Sequence, residues 1–295
     1  MKRLRKISIR RQVRNIVCLF AVLTAGCLHF LAAAESETSD DVLNKAGQVI
    51  RDIPYLPGSP RTTGDFYIPS NVSAVSPVAM TIHGGEWAYM DKDSFQGVAQ
   101  FLCEEGYLVF NINYRLLGEG PWPLCGDDCL ATVEFLLKAE NPYLKNVKRE
   151  HIAVLGGSSG GHLALMTGLR ACNRVNKVVS ISGIADVAMD YAQFPDRYKD
   201  FFESAPSEND LLAASPTGHL NENRPAILCT HAEGDKVVNP EEAKSFITKY
   251  TQAGGSAEIY LYPRFNDGHC IWRPDSVPRR LYPDIEDKIK SFLKE

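Results

Sequence analysis

The chain has 295 residues with 32 basic and 36 acidic side chains, but the basic ones are unevenly spread. Seven of them (Lys2, Arg3, Arg5, Lys6, Arg10, Arg11 and Arg14) precede the first acid, Glu35, so residues 35–295 hold 25 basic against 36 acidic side chains, a net charge of −11. Such acidity argues against nucleic acid or an anionic membrane as a partner, and the 261 residues suit one large α/β domain with an ample core.

Behind the basic leader runs an apolar stretch, Ile16–Ala34, ending in Leu31-Ala32-Ala33-Ala34. Basic start, apolar middle and small-residue end describe a secretory signal peptide over residues 1–34, cut after Ala34. Two alternatives stay open. One is an uncleaved anchor, since 19 residues just span a bilayer; the other is lipidation at Cys27 behind Thr24-Ala25-Gly26. All three place the protein outside the cytoplasm, and no stable membrane partner is expected unless Cys27 is lipidated. Six cysteines remain in the body of the chain: Cys103, Cys125, Cys129, Cys172, Cys229 and Cys270. Exported chains permit disulfides, and Cys125 with Cys129, neighbours on one helix face, is the first pair to test against several buried free thiols. No spacing supports a zinc site.

In chain order, Glu35–Arg51 is polar and reads as a short surface helix or arm. Asp65–Ile68 alternates as an entering strand. Ser76–His83 is an apolar run suited to a strand buried on both faces. Lys92–Gly106 is an amphipathic helix, with Phe95, Val98, Ala99 and Leu102 at helical spacing. Tyr107–Asn113 is the next buried strand, and after Asn113-Tyr114-Arg115-Leu116 a Gly/Pro-rich turn leads into a helix ending near Ala139. Asp127-Asp128 reads as a solvated first helical turn. Lys177–Ser182 is a strand, and residues 183–224 are irregular and aromatic-rich, either a small lid or a packed excursion. Pro225–His231 and Ala257–Tyr262 are further strands; helices follow from Asn239-Pro240 and over Pro283–Leu293. The alternation implies a mostly parallel central sheet flanked by helices, one α/β domain over residues 35–295 with a small insertion after the sixth strand.

Four loops after strands carry chemistry. His151–Met166 (HIAVLGGSSGGHLALM) reads strand, two-serine turn among glycines, helix, as a nucleophile elbow requires. Two registers fit G-x-S-x-G. Ser158 is preferred to Ser159 because it stands one glycine past the strand, leaving Ser159 to lend its backbone N–H. His83-Gly84-Gly85-Glu86-Trp87 follows a buried strand, and two glycines there let N–H groups turn toward a developing oxyanion. Asp235 and His269 lie in the last two such loops, giving the order Ser, acid, His.

With these motifs and Gly234-Asp235-x-Val237-Val238 and Gly268-His269, the chain resembles α/β-hydrolases of the esterase/lipase type, near hormone-sensitive-lipase-like and bacterial feruloyl-esterase-like carboxylesterases. The resemblance runs from about Ile53 to the C-terminus. It implies Ser158 as nucleophile, Asp235 as acid and His269 as base; Gly84, Gly85 and Ser159 as the oxyanion hole; and Glu86, Trp87 and Trp272 at the substrate. Trp87 either packs under its loop or lines the acyl pocket. No cofactor and no metal is implied. Long N-terminal cap helices are absent, favouring an open cleft and acetyl or feruloyl esters borne on polysaccharide. The rival readings are an arylformamidase-type amidase, a serine peptidase of the same fold, and a catalytically silent binding protein, which would usually have lost the serine or the histidine.

Overall fold

In the computed structural model the described residues are 47–295, apart from 148, 172, 221–223, 264–267, 270, 271, 274 and 275. The leader, Cys27, Cys172 and Cys270 lie outside them. Eight strands form one sheet: β1 (Gln48–Pro54), β2 (Thr63–Ile68), β3 (Val78–Ile82), β4 (Leu108–Ile112), β5 (Ile152–Gly157), β6 (Val175–Ile181), β7 (Ala226–Ala232) and β8 (Ala257–Tyr262). Their order is β1-β2-β4-β3-β5-β6-β7-β8. The first two pairings are antiparallel and the rest parallel. This is the α/β-hydrolase architecture that the motifs implied.

Strands β3, β4 and β5 are buried at every position, because helices cover both faces. On one face lie α1 (Gln96–Glu104) and α7 (Pro283–Lys294), packing Val98, Leu102, Ile285 and Ile289 against Val109, Leu155 and Leu228. On the other lie α2 (Leu124–Leu137), α3 (Ser159–Arg170) and α6 (Pro240–Gln252), where Val133, Leu163, Leu165 and Phe246 meet Met80, Phe110 and Val154. Helices α4 (Val187–Gln193) and α5 (Glu208–Ala214) make up the insertion between β6 and β7.

The strand order reverses between β3 and β5. From β3 the chain crosses to β4 on one side, from β5 to β6 on the other, so the loops leaving β3 and β5 part over a crevice at the sheet's C-terminal edge. Register keeps that edge even: Ile82 pairs with Gly156, Gly157 with Ile181, and Ile181 with Thr230.

Two expectations need correction, and one open alternative is decided. Residues 48–51 are not an arm but part of β1, an edge strand; a bulge between Ile50 and Ile53, with Asp52 at φ +54°, breaks the alternation that would have announced it. Cys125 and Cys129 are buried free thiols, as is Cys229. Residues one helical turn apart hold their Cβ atoms roughly 5–6 Å apart, too far for the ~3.8 Å of a disulfide. Asp128 is not solvated. It is fully buried and accepts from the Arg115 backbone N–H (2.8 Å) and Nε (3.0 Å).

Arg115→Met strands the Asp128 carboxylate without its counter-charge. We expect a loss of about 3 kcal/mol in the free energy of unfolding by urea, against less than about 0.5 kcal/mol for a change at exposed Asp127.

Candidate active site

Strand β5 ends at Gly157, helix α3 begins at Ser159, and Ser158 makes the corner between them at φ +56°, ψ −124°. A non-glycine residue there stores strain of roughly 1–3 kcal/mol, which persists because both neighbouring elements are fixed. Ser158 N–H donates to Ile181 O (2.8 Å), while its carbonyl accepts from Gly161 and His162 N–H (2.8 and 3.1 Å). The turn closes only without side chains on either flank. A Cβ on Gly156 would stand 2.0 Å from Gly160 O, and one on Gly160 would stand 2.3 Å from Ile82 O. These contacts set the register: Ser158 faces the crevice, while Ser159 is fully buried inside α3.

His269 Nε2 lies 2.9 Å from Ser158 Oγ, and its Nδ1 lies 2.9 Å from Asp235 Oδ2. A carboxylate only accepts, so Nδ1 carries the proton and Nε2 is left to accept from the serine hydroxyl. Asp235 Oδ1 takes the N–H groups of Val237 (2.9 Å) and Val238 (3.1 Å). Its Oδ2 also faces His231 Nε2 at 3.2 Å, a buried imidazole that shares this N–H with Val238 O at 3.1 Å. Burial alone would raise the pKa of Asp235; hydrogen bonds from His231 and His269 overcome it and hold the carboxyl well below the usual carboxylate range. His231 did not stand out in the sequence. Its only signal is its place at the end of β7, four residues before Asp235.

The loop after β3 carries three consecutive positive-φ residues, Gly85 (+108°), Glu86 (+52°) and Trp87 (+58°). Gly85 allows no side chain, since a Cβ would meet Tyr89 O at 2.3 Å. Gly84 lies against the elbow, its virtual Cβ 3.1 Å from Ser158 Cβ. His83 braces the loop from below. Its Nδ1–H donates to Gly84 O (2.7 Å), its Nε2 accepts from Arg61 (3.3 Å), and its ring stacks on Tyr114. Burial pushes the His83 pKa down to about 4, so it stays neutral.

A cavity of about 510 Å³ opens over these groups. Ser158, His269, Gly84, Gly85, Glu86 and Trp272 all line it. Phe95, Tyr89, Met90 and Val237 supply apolar wall, with Trp272 edge-on to Phe95 at 5.8 Å. Trp87 is not among the lining residues, which decides between its two expected places. It is fully buried under the loop, and its Nε1–H donates to His162 Nδ1 (3.2 Å).

Nor do the described residues of the insertion contribute to the lining. It buttresses the site from behind: Phe201 packs on Trp87 and Trp122, and Arg197 joins three elements. Arg197 Nη1 donates to both oxygens of buried Asp190 (2.6 Å each), and Nη2 donates to Val237 O (2.7 Å). Nε faces Glu86 Oε1 at 3.7 Å. The insertion is thereby tied to the loops carrying Asp235 and Glu86, neither of which the sequence linked to Arg197. Beyond Asp190 lies Glu242, buried on α6, whose Oε2 accepts from Asp186 N–H (3.4 Å) while Oε1 has no hydrogen-bond partner among the described residues. Burial, helped by the Asp190 charge, pushes the Glu242 pKa up to about 8.

A raised folded-state pKa confers stability that is complete below the unfolded value and lost as pH climbs through the folded one. For Glu242 that loss falls between about pH 4.5 and pH 8. Glu242→Gln removes it. The variant should melt higher than the parent at pH 9 and with little difference at pH 4, read from thermal unfolding across pH.

Comparison with known proteins agrees with the fold. The BD-FAE family model matches residues 65–250. Esterase LipC of Mycobacterium tuberculosis is 26% identical over 208 residues, covering 63% of this chain and 51% of its own. The chain spans about half the length of such curated relatives. Esterase B of Lactobacillus rhamnosis superposes with a TM-score of 0.67 at 16% identity, over 92% of this chain and 95% of its own. A truncated carbohydrate esterase from gut microbiota gives 0.65 at 20% identity, over 72% and 87%. At these identities the structural likeness is one of fold.

Proposed function

The chain belongs to the BD-FAE family, and from that membership we propose a serine-dependent hydrolase of carboxylic esters that works through an acyl-enzyme. The observation that carries the reading is the run of two 2.9 Å contacts from Asp235 through His269 to Ser158. In this mechanism His269 Nε2 takes the hydroxyl proton as Ser158 Oγ attacks the ester carbonyl. Asp235, already ionised and fixed by two backbone N–H groups, stabilises the imidazolium that forms. The carbonyl oxygen, now an oxyanion, accepts from the N–H of Ser159 at the start of α3 and from Gly84 or Gly85. One such donor is commonly worth about 10²–10³ in kcat. His269 returns its proton to the leaving alcohol. Water then enters, gives a proton to the same nitrogen and attacks the acyl-enzyme; the acid leaves and Ser158 recovers its hydrogen.

The natural substrate in this reading is an acetyl or feruloyl ester carried on polysaccharide, met outside the cytoplasm after export through the basic and apolar leader. Supporting it are the acidic body of the chain, the fold shared with a carbohydrate esterase, and a cavity bordered by none of the described residues of the insertion.

Labelling with a fluorophosphonate, followed by mapping of the adduct, tests the chemistry. The label should sit on Ser158 alone. Ser158→Ala should lose it together with release of nitrophenol from 4-nitrophenyl acetate, by about 10⁴-fold or more, whereas Ser159→Ala should keep both. A label on another serine, or a dead Ser159→Ala, overturns the assignment. Ethyl ferulate, acetylated xylan and a formyl-aryl amide, run side by side, then separate esterase from amidase.

A further inference from the structure

Two adjacent arginines beside the cavity are treated in opposite ways. Arg280 is neutralised: it donates to both oxygens of Glu286 (2.8 and 2.9 Å) and to Glu104 (3.0 Å), and its guanidinium lies over the Phe101 ring. Arg279 lines the cavity with Ser158 and His269, is exposed, and has no hydrogen bond or ion pair to any of the described residues.

Its backbone is nonetheless fixed. Arg279 O sits on α1 at Gly97, where a Cβ would come within 1.9 Å of it. On either side, Arg280 N–H donates to Ser276 Oγ (2.8 Å), Arg280 O accepts from Arg273 N–H (2.8 Å), and buried Leu281 bridges to Trp272. The guanidinium therefore projects from a pinned segment.

Glu86, the acid among the described lining residues, faces Arg197 at 3.7 Å. Among the described residues Arg279 is thus a cation without a counter-charge at the site, and with a net charge of −4 for the chain a generally basic surface does not account for it. A guanidinium fork in a partly apolar cavity suits a planar carboxylate.

We propose that the cavity prefers esters that also bear a free carboxylate, and that Arg279 is the residue that recognises it. The inference rests on the esterase reading and names its substrate class. The carboxylate belongs to one of two places: the acyl part, as in a half-ester of a dicarboxylic acid, or the alcohol part, as in an acetylated uronate sugar. Tyr89, Phe95 and Trp272 take the remaining apolar surface.

Two matched pairs decide it. 4-Nitrophenyl hemiglutarate against 4-nitrophenyl butyrate reads the acyl side; acetylated methyl glucuronide against acetylated methyl glucoside reads the alcohol side. Arg279→Gln should lower the anionic-to-neutral ratio of kcat/KM by about 10- to 100-fold on one pair, as loss of a charge-assisted hydrogen bond does. Arg279→Lys, which keeps the charge but not the fork, should give a ratio between those of the parent and Arg279→Gln, and 0.5 M salt should reduce it in the parent. An unchanged ratio on both pairs, or an equal fall on both members of each, overturns the proposal while leaving the esterase reading intact. Calorimetric binding of glutarate and of methyl glucuronide to Ser158→Ala needs no turnover. Binding of either that Arg279→Gln abolishes supports the proposal even if no ester is cleaved, the outcome that sinks the esterase reading alone; no binding of either probe overturns it.

Discussion

The site depends on three backbones approaching closer than any side chain would permit. The end of β5, the start of α3 and the end of β3 meet where Gly160 abuts Ile82 O and His83 O at 2.3 and 2.4 Å from its virtual Cβ, and Gly156 abuts Gly160 O. Because helix α3 seats directly on the loop leaving β3, Gly84 comes to lie beside Ser158, and the proposed nucleophile and its oxyanion donors share one crevice. A methyl group at Gly160 would drive helix and loop apart and separate those groups. The strain of the corner at Ser158 and of the bends at Glu86 and Trp87 is offset nearby. Trp87 is held by His162, whose own Nε2–H donates to Ala214 O (2.8 Å), and His83 holds Gly84 from beneath.

Buried carboxylates do the long-range tying. Asp65, Asp128, Asp190 and Asp235 all carry fully buried side chains; Asp65, Asp128 and Asp235 reach Lys92, Arg115 and His269 in other segments, while Asp190 holds Arg197 within the insertion itself. Asp65 receives Lys92 Nζ (3.1 Å) and Asp52 N–H (2.8 Å), locking the bulge of β1 to the turn before α1. Asp190 receives Arg197 and the Tyr198 hydroxyl (2.9 Å). Such pairs add little net stability compared with apolar side chains, but breaking one is costly. Their value lies in position: Arg197 makes the acid loop and the glycine loop parts of one rigid frame.

How far the sequence reveals this depends on what each residue answers to. Buried strands such as Val78–Ile82 and the glycine-flanked corner at Ser158 obey local rules, so periodicity and motif disclose them. Asp235 and His269 follow from order along the chain together with parallel-sheet geometry. Residues whose meaning comes from a partner are hidden. Asp128 looks like an ordinary first-turn acid until Arg115 is seen folded back 13 residues to meet it. His231 reads as the end of a strand, Arg197 as surface in an irregular stretch, and Trp87 admits two readings until His162, 75 residues on, fixes it. The edge strand β1 is concealed differently, by a bulge that shifts its alternation by one position.

The insertion after β6 bears most directly on what the cavity can admit. Its aromatic cluster, which alone suggests a cover, turns inward: Tyr198 and Phe201 are buried against Trp87 and Trp122. What borders the cavity instead is a rim of exposed apolar side chains, Tyr89 at 65%, Met90 at 56% and Val237 at 40%. Water-exposed apolar surface beside the proposed nucleophile is costly unless something covers it during turnover. A sugar face or a hydroxycinnamoyl ring would do so while the rest of its polymer stays in solvent. A buttress behind the site and an apolar ledge before it are what the polymer-borne ester of the proposed function requires, since a closing lid would have to exclude the chain that carries the substrate.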